Sequence, residues 1–348
     1  MHLLVEFSTF FLAVTLAGGI QILFGILKGG KLSYYFPSSV ITGMLTAIGI
    51  IIILKQLPHA FGYDRDYEGD ESFIQPDREN TFSELLHFWK YIHPASSVVF
   101  TLGLCIVWFW EKKIGVIFPR FAKIVQAPLM IVLVGILVVK VFITFNPLSI
   151  QDEHLVNIPP LKELIETYKY PVLSRLNDIN VWYYGFIIAF VASIETLLCV
   201  EATDIMDPQK RITNRNRELL AQGTGNIISG LLGGLPVTQV IVRSSANINF
   251  GAKTKMSAIF HGVWLLVSVL FFRELINLIP LSALATILIV VGYKLAQPRT
   301  FLKMYQKGWK DFIPFLVTVL VILFTDLLIG TLVGLVTAIL LKKHWKFF

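Results

Sequence analysis

Apolar runs separated by short polar connectors fill the chain, and their lengths predict helices rather than strands. About eleven segments stand out, near 7–28, 38–57, 95–110, 124–145, 182–205, 214–232, 236–249, 256–272, 280–296, 312–326 and 327–341. At 1.5 Å per residue, the longer ones match a hydrocarbon core about 30 Å thick. The run after Gly233-Gly234-Leu235-Pro236 does not: it is too short to cross, and two glycines and a proline break the span ahead of it. This predicts a half-helix that begins at Pro236 inside the bilayer. Its first N–H groups and the positive end of its dipole would face a cavity and attract an anion. Discontinuous helices of this kind mark the binding sites of secondary transporters.

The polar connectors alternate in character. The loop from Pro58 to His93 is acidic, with Asp64, Asp66, Glu68, Asp70, Glu71, Asp77, Glu79 and Glu84 outnumbering Arg65, Arg78 and Lys90. Basic clusters occupy the opposite side: Lys28 and Lys31; Lys112, Lys113, Arg120 and Lys123; Lys210, Arg211, Arg215 and Arg217; Lys253 and Lys255; Lys294 through Lys310; Lys342 and Lys343. The positive-inside rule puts these clusters and the C-terminus in the cytoplasm, and an odd number of segments then puts the N-terminus outside. Met1 to Glu6 lacks the basic start and cleavage site of a signal peptide, so the first span is retained. The expectation is that helices belonging to the unit precede Met1. Hydropathy layout agrees, since the first four spans resemble the last four, each set with a proline (Pro37, Pro280) opening its second run. An inverted repeat would need three more segments upstream to match the three between.

Composition fixes the class. Of 348 residues, 55% are hydrophobic and only 15% charged, with a mean hydropathy of +0.69, against about 25% charged in a soluble domain. The chain is read as an all-α polytopic protein of the inner (plasma) membrane, in contact with the lipid bilayer. The net charge of +7 does not indicate nucleic acid, because the cations lie in clusters between spans. Cys105 and Cys199 fall within apolar runs, with neither disulfide partners nor metal-ligand spacing. His59, His87, His93 and His154 are placed in extramembrane loops without a His-Glu-x-x-His pattern. No metal site is expected, and no nucleophile with a base at span depth indicates an enzyme.

Two ionisable residues at bilayer depth carry the candidate chemistry. Arg243 lies about two turns from Pro236, where a guanidinium can reach back to a bound anion; the plain alternatives are an ion pair or snorkelling to the surface. Val237, Thr238, Gln239 and Val240 would supply the first free amides, with side-chain donors from Thr238 and Gln239. The plain alternative for Thr238 is a helix cap, which leaves the amides available. Glu195 sits mid-span among Ile187, Phe190, Val191, Leu197 and Leu198, and pairing with Arg243 is its structural alternative. Asn226, Asn247 and Gln222 are expected to bond between helices. The glycines from Gly223 to Gly234 lack the lysine and hydroxyl of a phosphate loop and are expected to serve close packing.

The stretch Ser193-Ile194-Glu195-Thr196-Leu197-Leu198, the run Asn216 to Gly223, the run Gly225 to Thr238 and Arg243-Ser244-Ser245-Ala246-Asn247 resemble the SulP anion transporters, the sulfate permeases and their relatives in solute carrier family 26. Ala17-Gly18-Gly19-Ile20-Gln21 with Gly25 and Gly30, and Pro37 through Gly43, look like the family's fourth and fifth helices. The resemblance implies seven plus seven inverted helices in a core domain, here 7–28 and 182–272, and a gate domain, here 38–143 and 280–341. It implies an anion held between the N-termini of the third and tenth helices, the tenth beginning at Pro236 and the third lying outside this chain. It further implies a coupling proton or sodium ion at Glu195 in place of any cofactor, a homodimer, and a cytoplasmic STAS domain that this sequence does not contain. The expected function is alternating-access transport of a small inorganic anion, sulfate or bicarbonate. The rivals are a nucleobase-type permease of the same architecture, a non-transporting fragment, and one half of a split transporter completed by a separate chain.

Overall fold

Every apolar run has a helix to match it. The computed structural model describes residues 7–64, 81, 85, 87–118, 121–122, 125–142, 152–166 and 170–341. The expectations at Arg120, Lys123, Lys342 and Lys343, and for most of the acidic loop, fall outside those residues. In chain order the principal helices are α1 (Phe7–Ile26), α2 (Ser38–Ala60), α3 (Pro94–Phe109), α4 (Ala127–Phe142), α5 (Ile179–Met206), α6 (Arg215–Leu231), α7 (Ile241–Asn249), α8 (Met256–Phe271), α9 (Leu281–Leu295), α10 (Pro298–Gln306), α11 (Trp309–Phe324) and α12 (Leu327–Leu341). Local signals set their starts. Asp178 caps α5 by accepting the Asn180 N–H at 2.9 Å, and Asn214 caps α6 by accepting that of Arg217 at 3.2 Å. Pro37 and Pro280, both extended, precede α2 and α9. Only α10 was not anticipated. Its apolar residues alternate with Arg299 and Lys303, it buries Met304 alone, and it therefore reads as a polar connector in any hydropathy window.

Among the described residues, five stretches are by length and composition able to cross a bilayer: Phe7–Ile26, Ser38–Ala60, Pro94–Ile117, Ile179–Met206 and Leu281–Gln306. With the shorter apolar helices beside them, they make this a multi-pass integral membrane protein.

Packing forms two groups that meet along one seam. In the first, α1 and α6 run antiparallel at backbone contact, because a Cβ at Gly18 would stand 2.5 Å from the Gly223 oxygen and one at Gly223 2.6 Å from the Gly18 oxygen. α5 closes this group against α1. In the second, α2 is surrounded by α9, α11 and α12, while α3 and α4 pack on α9. Gly49 and Gly292 approach reciprocally there, each 2.6–2.7 Å from the other's carbonyl once a Cβ is added. The seam is hydrophobic: Ile41, Met44, Ile48 and Ile52 of α2 share a core with Ile194, Leu198, Cys199 and Ala202 of α5 and Ile241 of α7. α8 stands apart, with no buried residue.

The fold sorts polar residues to opposite ends. Arg211 donates to the Lys253 carbonyl at 2.6 Å, the Gly30 amide donates to the Asn216 side chain at 3.0 Å beside Lys31 and Arg215, and Lys253 and Lys294 border one cavity. The other end holds His59, Asp64 and His154, with Leu155 bridged to Pro280. His59 is a correction: it belongs to the last turn of α2 rather than to a loop.

Candidate functional site

α6 ends at Leu231, and Gly233 turns the chain with a φ of 69°, in the left-handed region that glycine tolerates. The following residues do not enter a helix. The break expected at Gly233-Gly234-Leu235-Pro236 is present, but α7 begins at Ile241 and not at Pro236. Proline at the first helical position is a sound local rule, yet here tertiary hydrogen bonds hold 235–240 out of the helix.

Those bonds come from three helices. Asn226 of α6 is wholly buried; its Oδ1 accepts the Val237 N–H at 2.5 Å, and its Nδ2 donates to the Val237 carbonyl at 3.0 Å and to Gln21 Oε1 of α1 at 2.6 Å. Gln222 Nε2 donates to the same carbonyl at 2.9 Å and to Ala192 O of α5 at 3.3 Å, and Gln21 Nε2 donates to Ser193 Oγ at 3.4 Å. One residue on, Thr196 and Thr238 hydroxyls share a 2.9 Å hydrogen bond, and Thr196 Oγ1 accepts the Gln239 N–H at 3.3 Å. Gln239 Nε2 then donates to Thr203 Oγ1 at 3.1 Å and Ser244 Oγ at 3.4 Å. A non-helical run inside a membrane protein needs such partners, since lipid offers none.

This changes which amides are free. Val237 and Gln239, expected to offer theirs to a solute, spend them on Asn226 and Thr196. The role passes along the chain. Val240 is extended, no side chain caps α7, and the first-turn amides of Ile241, Val242 and Arg243 therefore lack intrahelical acceptors. Arg243 thus lies in the first turn of α7, not two turns in. Its side chain is exposed and makes no ion pair among the described residues, so neither a pair with Glu195 nor any other fixed carboxylate neutralises it. Glu195 is half-buried on α5, adjacent in sequence to Thr196 and hence close to the non-helical run. Thr238 and Gln239 act as braces of that run and not as helix caps.

Sequence reasoning named Asn226 and Gln222 as interhelical partners, which they are, and Asn247 accepts from Ser257 Oγ at 2.5 Å. It missed Gln21, Ser193 and Thr196, whose small polar side chains sit inside apolar runs, where average hydropathy hides them. A helical wheel with Ser193 and Thr196 on one face is the signal that was there to find.

Two outlying clusters frame the site. Below the far end of α7, Phe250, Gly251 and Lys253 border a cavity of about 540 Å³ whose other walls include Trp110, Gln126, Pro128, Ile287 and Lys294. It is large enough for a ligand, but it does not adjoin the tip of α7. Nearby, Arg211 grips Asp207 with two hydrogen bonds of 2.7 and 3.1 Å, which holds that carboxyl down at about 2 in spite of the opposing effect of desolvation. At the opposite end, Asp64 accepts from the Nδ1 atoms of His59 and His154, both at 2.6 Å. Burial alone would raise the Asp64 pKa, but the two imidazole bonds outweigh it and hold the carboxyl below its ordinary value. Among the described residues no group of three or more His, Cys, Asp or Glu side chains is arranged to hold a metal.

A broken helix in a helical, multi-pass membrane protein, the chain before its tip held by a buried polar network, is an arrangement that folds with discontinuous membrane helices share. The comparisons narrow it. The sequence matches the sulfate permease family over residues 5–318, and the chain belongs to that family. It is 28% identical to a putative sulfate transporter, YvdB, of Bacillus subtilis, over 93% of this chain and 57% of that protein. It is 26% identical to the bicarbonate transporter BicA of Picosynechococcus, over 94% of this chain and 54% of that one. The chain thus spans about half the length of the curated relatives it matches. Among solved structures it resembles the transmembrane domain of a cyanobacterial BicA, with a TM-score of 0.64 and 25% identity over 96% of this chain and 76% of that one. The fold also resembles that of SLC26A9, with a TM-score of 0.71 and 17% identity over 97% of this chain and 51% of that one. These relatives are transporters by name, not enzymes.

Proposed function

We propose that this chain forms the membrane part of a secondary transporter for a small inorganic anion, with sulfate and bicarbonate the leading candidates. The observation that carries the reading is the uncapped first turn of α7: three amides without intrahelical acceptors, the positive end of a helix dipole and the exposed Arg243 guanidinium, all anchored by Asn226, Gln222 and Thr196. Small oxyanions match that donor set. The names of the relatives, a sulfate and a bicarbonate transporter, support the substrate class.

In this reading α1 and α5 to α8 move as a core against a gate of α2 to α4, α9, α11 and α12. Alternating access then slides the seam between α2 and α5/α7 and exposes the tip to each side in turn. The basic end faces the cytoplasm. Glu195, half-buried one residue from Thr196, is the proposed seat of a coupling proton or sodium ion; a Glu195→Gln variant whose uptake keeps the wild-type pH and sodium dependence would remove it from that role.

The test of the function is uptake by the full-length protein in liposomes. Labelled sulfate or bicarbonate should accumulate against a blank, and Arg243→Gln should lower the transport rate at limiting anion by at least about tenfold, the loss of one charge-assisted hydrogen bond. Competition of sulfate uptake by uracil but not by selenate would favour a nucleobase permease instead. No uptake of either anion overturns the reading.

A further inference from the structure

We propose that Lys55 supplies the gate-side charge of the anion site, and that the transported anion is the partner of its buried ammonium. This rests on the transport reading above and adds a second wall to the same site.

Lys55 lies in α2, a membrane-spanning helix, and only 7% of its surface is exposed. Its Nζ is buried without any hydrogen-bond partner among the described residues. A buried lysine with nothing to bond is an anomaly: buried charges are almost always paired, and ionisable groups at membrane depth are retained where they serve a ligand or a pathway. Among the described residues no carboxylate stands within hydrogen-bonding distance of it.

Its position indicates the ligand. Ile41, Met44, Ile48, Ile52 and Lys55 recur every three or four residues and so share one stripe of α2. The four apolar members pack in one cluster with Ile194 and Leu198 of α5 and with Ile241, the first residue of α7. Lys55 continues that stripe one turn beyond Ile52. Long side chains on a helix lean toward its N-terminus, which for Lys55 is the direction of the Ile52 level and thus of the seam with α7. On that placement, the cation of α2 reaches toward the seam on which the first residue of α7, Ile241, packs, and toward the acceptor-free amides of that helix tip. A small oxyanion satisfies both, and it cross-links the two helices whose relative motion transport requires.

Lys55→Met and Lys55→Arg variants of the full-length protein, compared with wild type, test this. Sodium sulfate and sodium bicarbonate are titrated against sodium gluconate at matched ionic strength, reading the shift in melting temperature and the KM of uptake. Lys55→Met should weaken the apparent affinity by at least about tenfold and Lys55→Arg by no more than about threefold, as expected when a charge-assisted hydrogen bond is lost or kept. Without anion, Lys55→Met should melt at or above the wild-type temperature, because it removes an unpaired buried charge. A purely structural lysine gives the reverse: a lower melting temperature and an unchanged anion response. That result refutes the inference alone. A wild type that neither takes up nor is stabilised by either anion refutes the transport reading and this inference with it.

Discussion

Asn226→Ala is the most informative single perturbation of the site, because the residue is 0% exposed and makes three hydrogen bonds that no neighbour can replace in full. Deleting the amide leaves the Val237 N–H and Gln21 Oε1 without these partners, while the Val237 carbonyl keeps Gln222 at 2.9 Å. Three polar contacts at the roughly 0.6 kcal/mol average found between membrane helices set a floor near 2 kcal/mol. Two buried groups left unsatisfied, at about 1–3 kcal/mol each, set a ceiling near 6 kcal/mol. Even the floor is a large share of a typical total stability of about 5–15 kcal/mol. The variant should therefore unfold well before the wild type in detergent. Because residues 235–240 lose their main anchor, the tip of α7 should also lose its fixed position and its anion-dependent stabilisation. Asn226→Asp should be no milder: it keeps the acceptor for the Val237 N–H but turns a buried carboxylate on the Gln21 Oε1 and Val237 carbonyl oxygens, so it should melt at or below the alanine variant. The reasoning fails if Asn226→Ala melts within about 0.5 kcal/mol of wild type, the range of an inert surface substitution, and responds to anion unchanged.

The glycines of α6 should behave oppositely at neighbouring positions: Gly223→Ala forces a Cβ to 2.6 Å from the Gly18 oxygen, whereas Gly225 has nothing within 4 Å. Gly223→Ala should abolish a folded, monodisperse protein, while Gly225→Ala should be neutral or stabilise by up to about 1 kcal/mol through helix propensity; size-exclusion profiles and melting curves check both. The Asp207–Arg211 clamp should be insensitive to pH until strongly acid conditions, because the carboxyl is lowered from 3.8 to about 2. A depressed folded-state pKa means its contribution is complete above 3.8 and is lost as pH falls toward about 2. Limited proteolysis of the 207–213 turn should accordingly stay constant from neutral pH to about 4, whereas Arg211→Gln should expose it at every pH; equal cleavage of the two proteins would discount the clamp.

The sequence by itself determined where the apolar helices of the described residues lie, because burial in lipid demands long apolar helices and leaves that demand visible in every window. It also determined that a break falls at Gly233-Gly234-Leu235-Pro236, since glycine and proline act locally. It located Arg243 near that break, and it could name Asn226 and Gln222 as polar residues in need of partners. Only the tertiary structure decided where the broken helix starts. Pro236 satisfies the local rule for a first helical residue, but Asn226 on α6 and Thr196 on α5 capture the Val237 and Gln239 amides, and that competition depends on residues distant in sequence. The same holds for Lys55. One cation in a run as apolar as 38–57 scarcely moves its average hydropathy, and whether such a lysine reaches water or is buried depends on which helices pack around it.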